Sequence, residues 1–172
     1  MNLLQKKLFH VIKAIAQIDD FQNYYLNHAI RYGFLNYVAK YSLAKDNYLI
    51  SDKALDHLSN NNFLVEGGLR KSLKNRKNGF TYEHPVPSNV ISSEIVKYRD
   101  DEEMIAKILD WTDLVTILTT EEDTLLTSCR LGKDMPSGWE FFQCSQFARY
   151  DSAGLPNKAK LKEINVFGPL KR

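Results

Sequence analysis

Apolar and polar positions along the first forty residues recur with the step of a helix. Leu4, Leu8, Val11, Ile12, Ile15 and Ile18 return every three or four residues, while Lys6, Lys7, Lys13 and Gln17 fall off that stripe, the pattern of a helix with one buried face. Asp19-Asp20 marks a turn, after which Phe21, Tyr25, Ala29, Tyr32, Leu35 and Val38 repeat the step. Two amphipathic stripes joined by a short turn predict an antiparallel helical hairpin. Tyr24, Tyr37 and Tyr41 read as an aromatic core whose hydroxyls reach the rim rather than as a platform for bases, and His10 and His28 as surface or internally satisfied imidazoles.

Lys45 to Ile50 forms a polar connection, and Ser51 is placed to cap a short helix carrying Leu55 and Leu58. Turns at Asn60-Asn61-Asn62 and Gly67-Gly68 follow. The run Phe80-Thr81-Tyr82-Glu83-His84 is rich in strand-forming residues and ends before Pro85 and Pro87, which hold off a helix until Ser88. From there Val90, Ile91, Ile95 and Tyr98, then Met104, Ile105, Ile108, Leu109 and Trp111, trace two helices separated by Asp100-Asp101. Leu114 to Leu118 reads as a second strand. Thr119 with Glu122 has the spacing of a capping box, which opens a helix at the strand's end. A turn-rich stretch over 132–139 leads to Phe141, Phe142 and Phe147, and Ile164, Val166 and Phe167 mark a last strand or docking segment.

These elements give an α+β fold in which helix dominates: an N-terminal helical hairpin over 1–59, and a lobe over 60–172 built on a small two-stranded sheet, the two forming one compact domain. A chain of 172 residues has the length for one sizeable core. The two cysteines, Cys129 and Cys144, lack a paired CxxC spacing, so a disulfide framework and a zinc ribbon are both unsupported and buried free thiols are expected. The start of the chain carries too many polar residues for a secretory core, and no window is apolar enough for a membrane span. A cytoplasmic protein without a membrane partner is expected.

Candidate chemistry centres on Glu83-His84. A carboxylate beside an imidazole at a strand end brings a hard oxygen ligand and a general base into one small site. Immediately before it lie Arg70, Lys71, Lys74, Arg76 and Lys77, five cations with no acid among residues 70–79. That strip is either a solvated loop or a set of phosphate contacts. Arg130 and Arg149 are either bidentate phosphate contacts or partners in structural ion pairs. The net charge of +2 does not separate these readings, because a whole-chain sum hides local fields.

The order strand, long connection, strand, helix from Phe80 to Leu126, with Glu83-His84 followed by prolines and acids opening the helix, resembles the ββα-metal unit of the HNH nucleases. The resemblance implies a metal-dependent endonuclease acting on nucleic acid, DNA more than RNA, in a defence, phage or mobile-element setting. His84 would be the general base, with Glu83 and Asp123 or Glu122 holding magnesium or manganese and no organic cofactor. Such hard cations favour oxygen ligands and offset charge on a scissile phosphate. Three departures stand out: no asparagine is identifiable in the role that orients the base, two helices fill the connection between the strands, and Asp123 stands where the family has histidine or asparagine. Two other functions fit the same residues. One is a catalytically inactive nucleic-acid-binding or enzyme-inhibiting module using the basic strip, with the acids from Asp100 to Glu103 available to a protein partner. The other is a self-associating protein whose helical hairpin forms a homodimer.

Overall fold

The computed structural model describes residues 1–18, 24–65, 68–69 and 75–165. In chain order the elements are α1 (Leu3–Ala16), α2 (Tyr24–Leu43), β1 (Asn47–Ile50), α3 (Asp52–Asn60), β2 (Leu64–Val65), β3 (Gly68–Leu69), β4 (Phe80–Glu83), α4 (Ser88–Lys97), α5 (Glu102–Trp111), β5 (Thr116–Thr119), α6 (Thr120–Ser128), α7 (Ala148–Ser152) and β6 (Lys162–Asn165). The fold is α+β with helix in the majority. Among the described residues no helix is long and apolar enough to cross a membrane.

The chain forms two compact units, and they are not successive stretches. The first combines Met1–Ala44 with Val86–Asp113, and the second combines Lys45–Pro85 with Leu114–Arg172. The expected division at residue 59 therefore shifts to Ala44, and α4 and α5 belong with the N-terminal helices. The physical reason lies in their faces. Ile91 and Ile95 of α4 and Ile105, Ile108 and Leu109 of α5 are buried, and α4 packs on α2 while α5 meets α1, α2 and α4.

In this first unit, α1 buries Gln5, Phe9, Ile12 and Ala16, so the predicted stripe is displaced. Leu4, Val11 and Ile18 are exposed. The displacement follows from polar chemistry at the helix start. Asn2 and Gln5 form a capping box, and the buried Gln5 amide also donates to Asp113 Oδ2 at 3.0 Å, which turns that face inward. Tyr41 is fully buried with its hydroxyl donating to Asp110 at 2.9 Å; burial, then Asp110 and Asp113, raise its phenol well above the ordinary range. The predicted turn at Asp19-Asp20, and Phe21 beyond it, lie outside the described residues.

The second unit holds a four-stranded sheet in the order β4-β5-β1-β6, larger than the two strands expected. β4 runs antiparallel to β5, with Phe80 opposite Thr119 and Glu83 opposite Thr116. β5 runs parallel to β1, and β6 closes the other edge antiparallel to β1. β1 was hidden in sequence because Asn47-Tyr48-Leu49-Ile50 is short and follows charged residues. All four β5 residues are buried, and α6 covers β4 and β5. Leu118, Leu126, Phe147, Tyr150 and Leu155 make a core cluster with Leu131 against it. Full burial of such side chains stabilises by about 1.5–3 kcal/mol each. Both cysteines are free, with Cys129 exposed and Cys144 half-buried, so burial is not what they share.

Candidate functional site

The antiparallel pairing places Glu83 at the end of β5 from which the chain enters, and α6 starts at the other end and returns over the two strands. Residues one or two turns into α6 therefore come level with Glu83. An open cleft of about 400 Å³ results, lined by Glu83, Asp123, Thr127, Arg130, Gly132, Lys133 and Asp134. Asp123, Thr127 and Arg130 follow at steps of four and three, one stripe down the helix and past its end. Glu83 and Asp123, two of the three acids expected to hold a metal, both line this cleft.

The other acid of that expectation is committed elsewhere. Glu122 is buried and completes the capping box of α6. Its Oε2 accepts from Thr119 N at 2.9 Å, Thr119 Oγ1 at 3.2 Å and Ser51 Oγ at 2.7 Å. Ser51 Oγ in turn accepts from Ala54 N at 3.1 Å, capping α3 as its sequence position predicts. One carboxylate thus fastens the starts of two helices, which leaves it no role at the cleft.

Arg149, a candidate phosphate contact, is completely buried. Its Nε donates to Pro85 O and its Nη1 to Leu131 O, both at 2.8 Å. Its Nη2 donates to the Glu83 carboxylate and to His84 O. This single side chain occupies four acceptors and clamps the β4 exit to the segment after α6. Burial lowers its pKa to about 10, with the neighbouring Tyr150 acting the other way, so it stays charged at neutral pH. A buried cation of this kind requires a partner; Glu83, 19% exposed at its side chain, supplies it while still lining the cleft.

His84 is held within this clamp through its carbonyl. Burial lowers the pKa of its ring to about 4; a hydrogen bond with the Leu114 backbone opposes that shift, and the charge of Lys45 adds to it. The imidazole is therefore neutral through the physiological range, and it is not among the residues that line the cleft. Arg70, Lys71 and Lys74 lie outside the described residues. Arg76 falls in the short 3₁₀ turn Asn75–Asn78 and Lys77 beside it is exposed.

The residues present do not fit the metal site that the resemblance implies. Among the described residues no group of three or more histidine, cysteine, aspartate or glutamate side chains is placed to hold a metal ion. Glu83 is bonded to Arg149, Glu122 is spent on two helix caps, and Asp123 alone is not a cage. What the cleft does present is two cations, Arg130 and Lys133, beside the carboxylates of Asp123 and Asp134. Sequence reading missed Thr127, Lys133 and Asp134. The helical step from Asp123 to Thr127 was available as a signal, whereas the loop after Gly132 has no periodicity to read.

Arg130 carries a further mark. It follows the C-cap Cys129 at φ 59°, with its N–H on Thr127 O at 3.0 Å and the N–H of Leu131 on Leu126 O at 2.7 Å. These two bonds define a Schellman end, where glycine is the usual residue. A long side chain is held there in the left-handed region. Comparison with known protein families, curated proteins and solved structures finds no match for the chain.

Proposed function

We propose that the chain is a nucleic-acid-binding module whose ββα-like unit serves recognition rather than hydrolysis. The observation that carries this reading is the cleft itself, in which Arg130 and Lys133 stand beside acceptors while His84, the expected general base, does not line it and Glu83 is bonded to Arg149. Guanidinium and ammonium groups contact phosphate oxygens. Carboxylates such as Asp123 and Asp134 accept from exocyclic amino groups of bases. Glu83 is balanced by Arg149 behind it, so it does not oppose an incoming phosphate with a full charge.

The test is fluorescence anisotropy of labelled single-stranded and duplex DNA and RNA across a salt series. The parent chain binds with an affinity that falls as salt rises, and Arg130→Gln with Lys133→Gln weakens binding and reduces the salt slope by about one unit for each cation removed, roughly one and a half to two in all. Binding that ignores salt, or that survives both substitutions unchanged, removes the proposal.

One observation favours a second reading, hydrolysis, in which a substrate phosphate would have to complete the ligand set that the protein alone lacks: Glu83 and Asp123 line one cleft where two antiparallel strands are followed by a helix, the layout of the ββα-metal unit. Plasmid nicking in magnesium or manganese distinguishes it. Nicking that is lost in Asp123→Asn while binding persists supports hydrolysis over recognition alone.

A further inference from the structure

The loop that leaves the cleft at Asp134 goes on to display aromatic rings. Trp139 and Phe141 are half-buried and Phe142 is 36% exposed. The Trp139 and Phe141 ring centroids lie 4.8 Å apart at 66°, and those of Phe141 and Phe142 lie 5.9 Å apart at 55°. The loop is folded back on itself by polar bonds. Trp139 N donates to Pro136 O at 3.1 Å, Cys144 N to Glu140 O at 3.1 Å, and the indole Nε1 to Ser145 O at 2.8 Å.

Phe142 adopts φ 64°. A bulky aromatic residue in the left-handed region is an outlier, because its Cβ crowds the following carbonyl. Burial does not account for it, since the ring stays more exposed than most others of its kind in this chain. Strained residues of this sort persist where surrounding structure holds them, and they cluster at binding sites. Here the strained backbone holds a third ring beside Phe141 and partly in contact with solvent.

We propose that Trp139, Phe141 and Phe142 form a stacking platform for an unpaired base of a single-stranded nucleic acid whose phosphates are held by Arg130 and Lys133. This rests on the nucleic-acid reading above and adds to it a preference for single strands. Two features of the loop argue for a base over an apolar protein surface. The cations that attract a phosphate backbone stand on the same segment, nine and twelve residues before Phe142. Of residues 135–147 only Glu140 is charged, and the segment carries the amides of Gln143 and Gln146 and the hydroxyls of Ser137 and Ser145, group types that pair with base edges. Aromatic side chains combined with phosphate-binding cations are the common arrangement for unpaired strands, and stacking tolerates any base because each has a π face; the cleft sets its two cations among three carboxylates, Glu83, Asp123 and Asp134.

The chain contains two tryptophans, Trp111 and Trp139, so a Trp111→Phe background leaves Trp139 as the only indole emitter. Titration of that full-length protein with oligothymidylate quenches the Trp139 emission, and its duplex with oligoadenylate does not. Phe142→Gly, which removes the ring and suits the backbone, binds the single strand about tenfold more weakly and the duplex unchanged, with no loss of thermal stability. Phe142→Leu keeps apolar bulk without a π face and shows the same selective loss. Unaltered single-strand affinity in both variants, or an equal loss for strand and duplex, overturns the platform even when Arg130→Gln still weakens binding. Absence of binding by the parent to either probe overturns the underlying reading and this one with it.

Discussion

Arg130 and Arg149 meet at Leu131, and they differ in everything but residue type. Arg130 precedes Leu131 in the chain, is exposed, and reaches the cleft from a backbone conformation that suits glycine. Arg149 donates to the Leu131 carbonyl, has no exposed surface, and spends its guanidinium on four acceptors. A buried cation is tolerable only when its hydrogen-bonding capacity is filled, and the fold around Arg149 fills it. An exposed cation at a strained position contributes little to stability. The contrast separates a charge that holds the unit together from one kept available for a ligand.

The comparison breaks if the two residues respond alike to substitution. Arg149→Met removes the partner of Glu83 and strips donors from the carbonyls of Leu131, His84 and Pro85. Leaving such groups unpaired costs about 3–5 kcal/mol, read as a lower denaturant midpoint for the second unit. Arg130→Gln changes stability by less than about 0.5 kcal/mol, as surface substitutions do. An Arg149→Met protein with the parental midpoint would place both arginines in the same class.

His84 gives the clamp a pH signature. Its folded pKa of about 4 lies below the unfolded value near 6.5, so the unfolded chain takes up a proton that the folded chain refuses. Between those values the unfolded state binds more protons, and stability rises with pH. The contribution is fully in place above about pH 6.5 and is lost as pH falls towards 4, to a maximum of about 3 kcal/mol. Urea titrations across that window, repeated on His84→Gln, measure it directly. The variant shows a shallower decline, and equal slopes in the two proteins would remove His84 from the interior.

What was legible in the sequence divides along similar lines. The Ser51 cap and the Thr119–Glu122 capping box were readable because each depends on residues within a turn of one another; the class of fold and the pairing of α1 with α2 were readable from periodicity, but not the buried faces, since Leu4, Val11, Ile18 and Tyr32 of the expected stripes are exposed. The membership of α4 and α5 was not, since their apolar faces do not say which helices they meet. The capping box was legible, but not its consequence: once Glu122 closes it and accepts from Ser51, it is no longer available as a ligand. Arg149 looked like Arg130 because a guanidinium carries no mark of its burial; only the folded β4 exit shows four acceptors converging on one. The left-handed backbones of Arg130 and Phe142 were invisible because neither residue favours that region.

Three helices of the second unit sharpen the point about Arg130, since α3, α6 and α7 all finish in the same geometry. Asn62 at φ 55° follows α3 and Gly154 at φ 70° follows α7, and Phe63 N to Leu58 O and Leu155 N to Tyr150 O, both 2.9 Å, repeat the bond made by Leu131. Glycine and asparagine enter this region readily; arginine does so against its Cβ. If the Arg130 side chain is retained for the cleft, then Arg130→Gly stabilises the unit by about 1 kcal/mol while weakening nucleic-acid binding. Asn62→Gly at the equivalent turn shifts stability by only a few tenths of a kcal/mol, because asparagine bears little strain there, and leaves binding untouched. Paired thermal melts and anisotropy titrations of the two variants decide it. A glycine at 130 that stabilises without loss of affinity would make Arg130 an unfavourable helix end and nothing more.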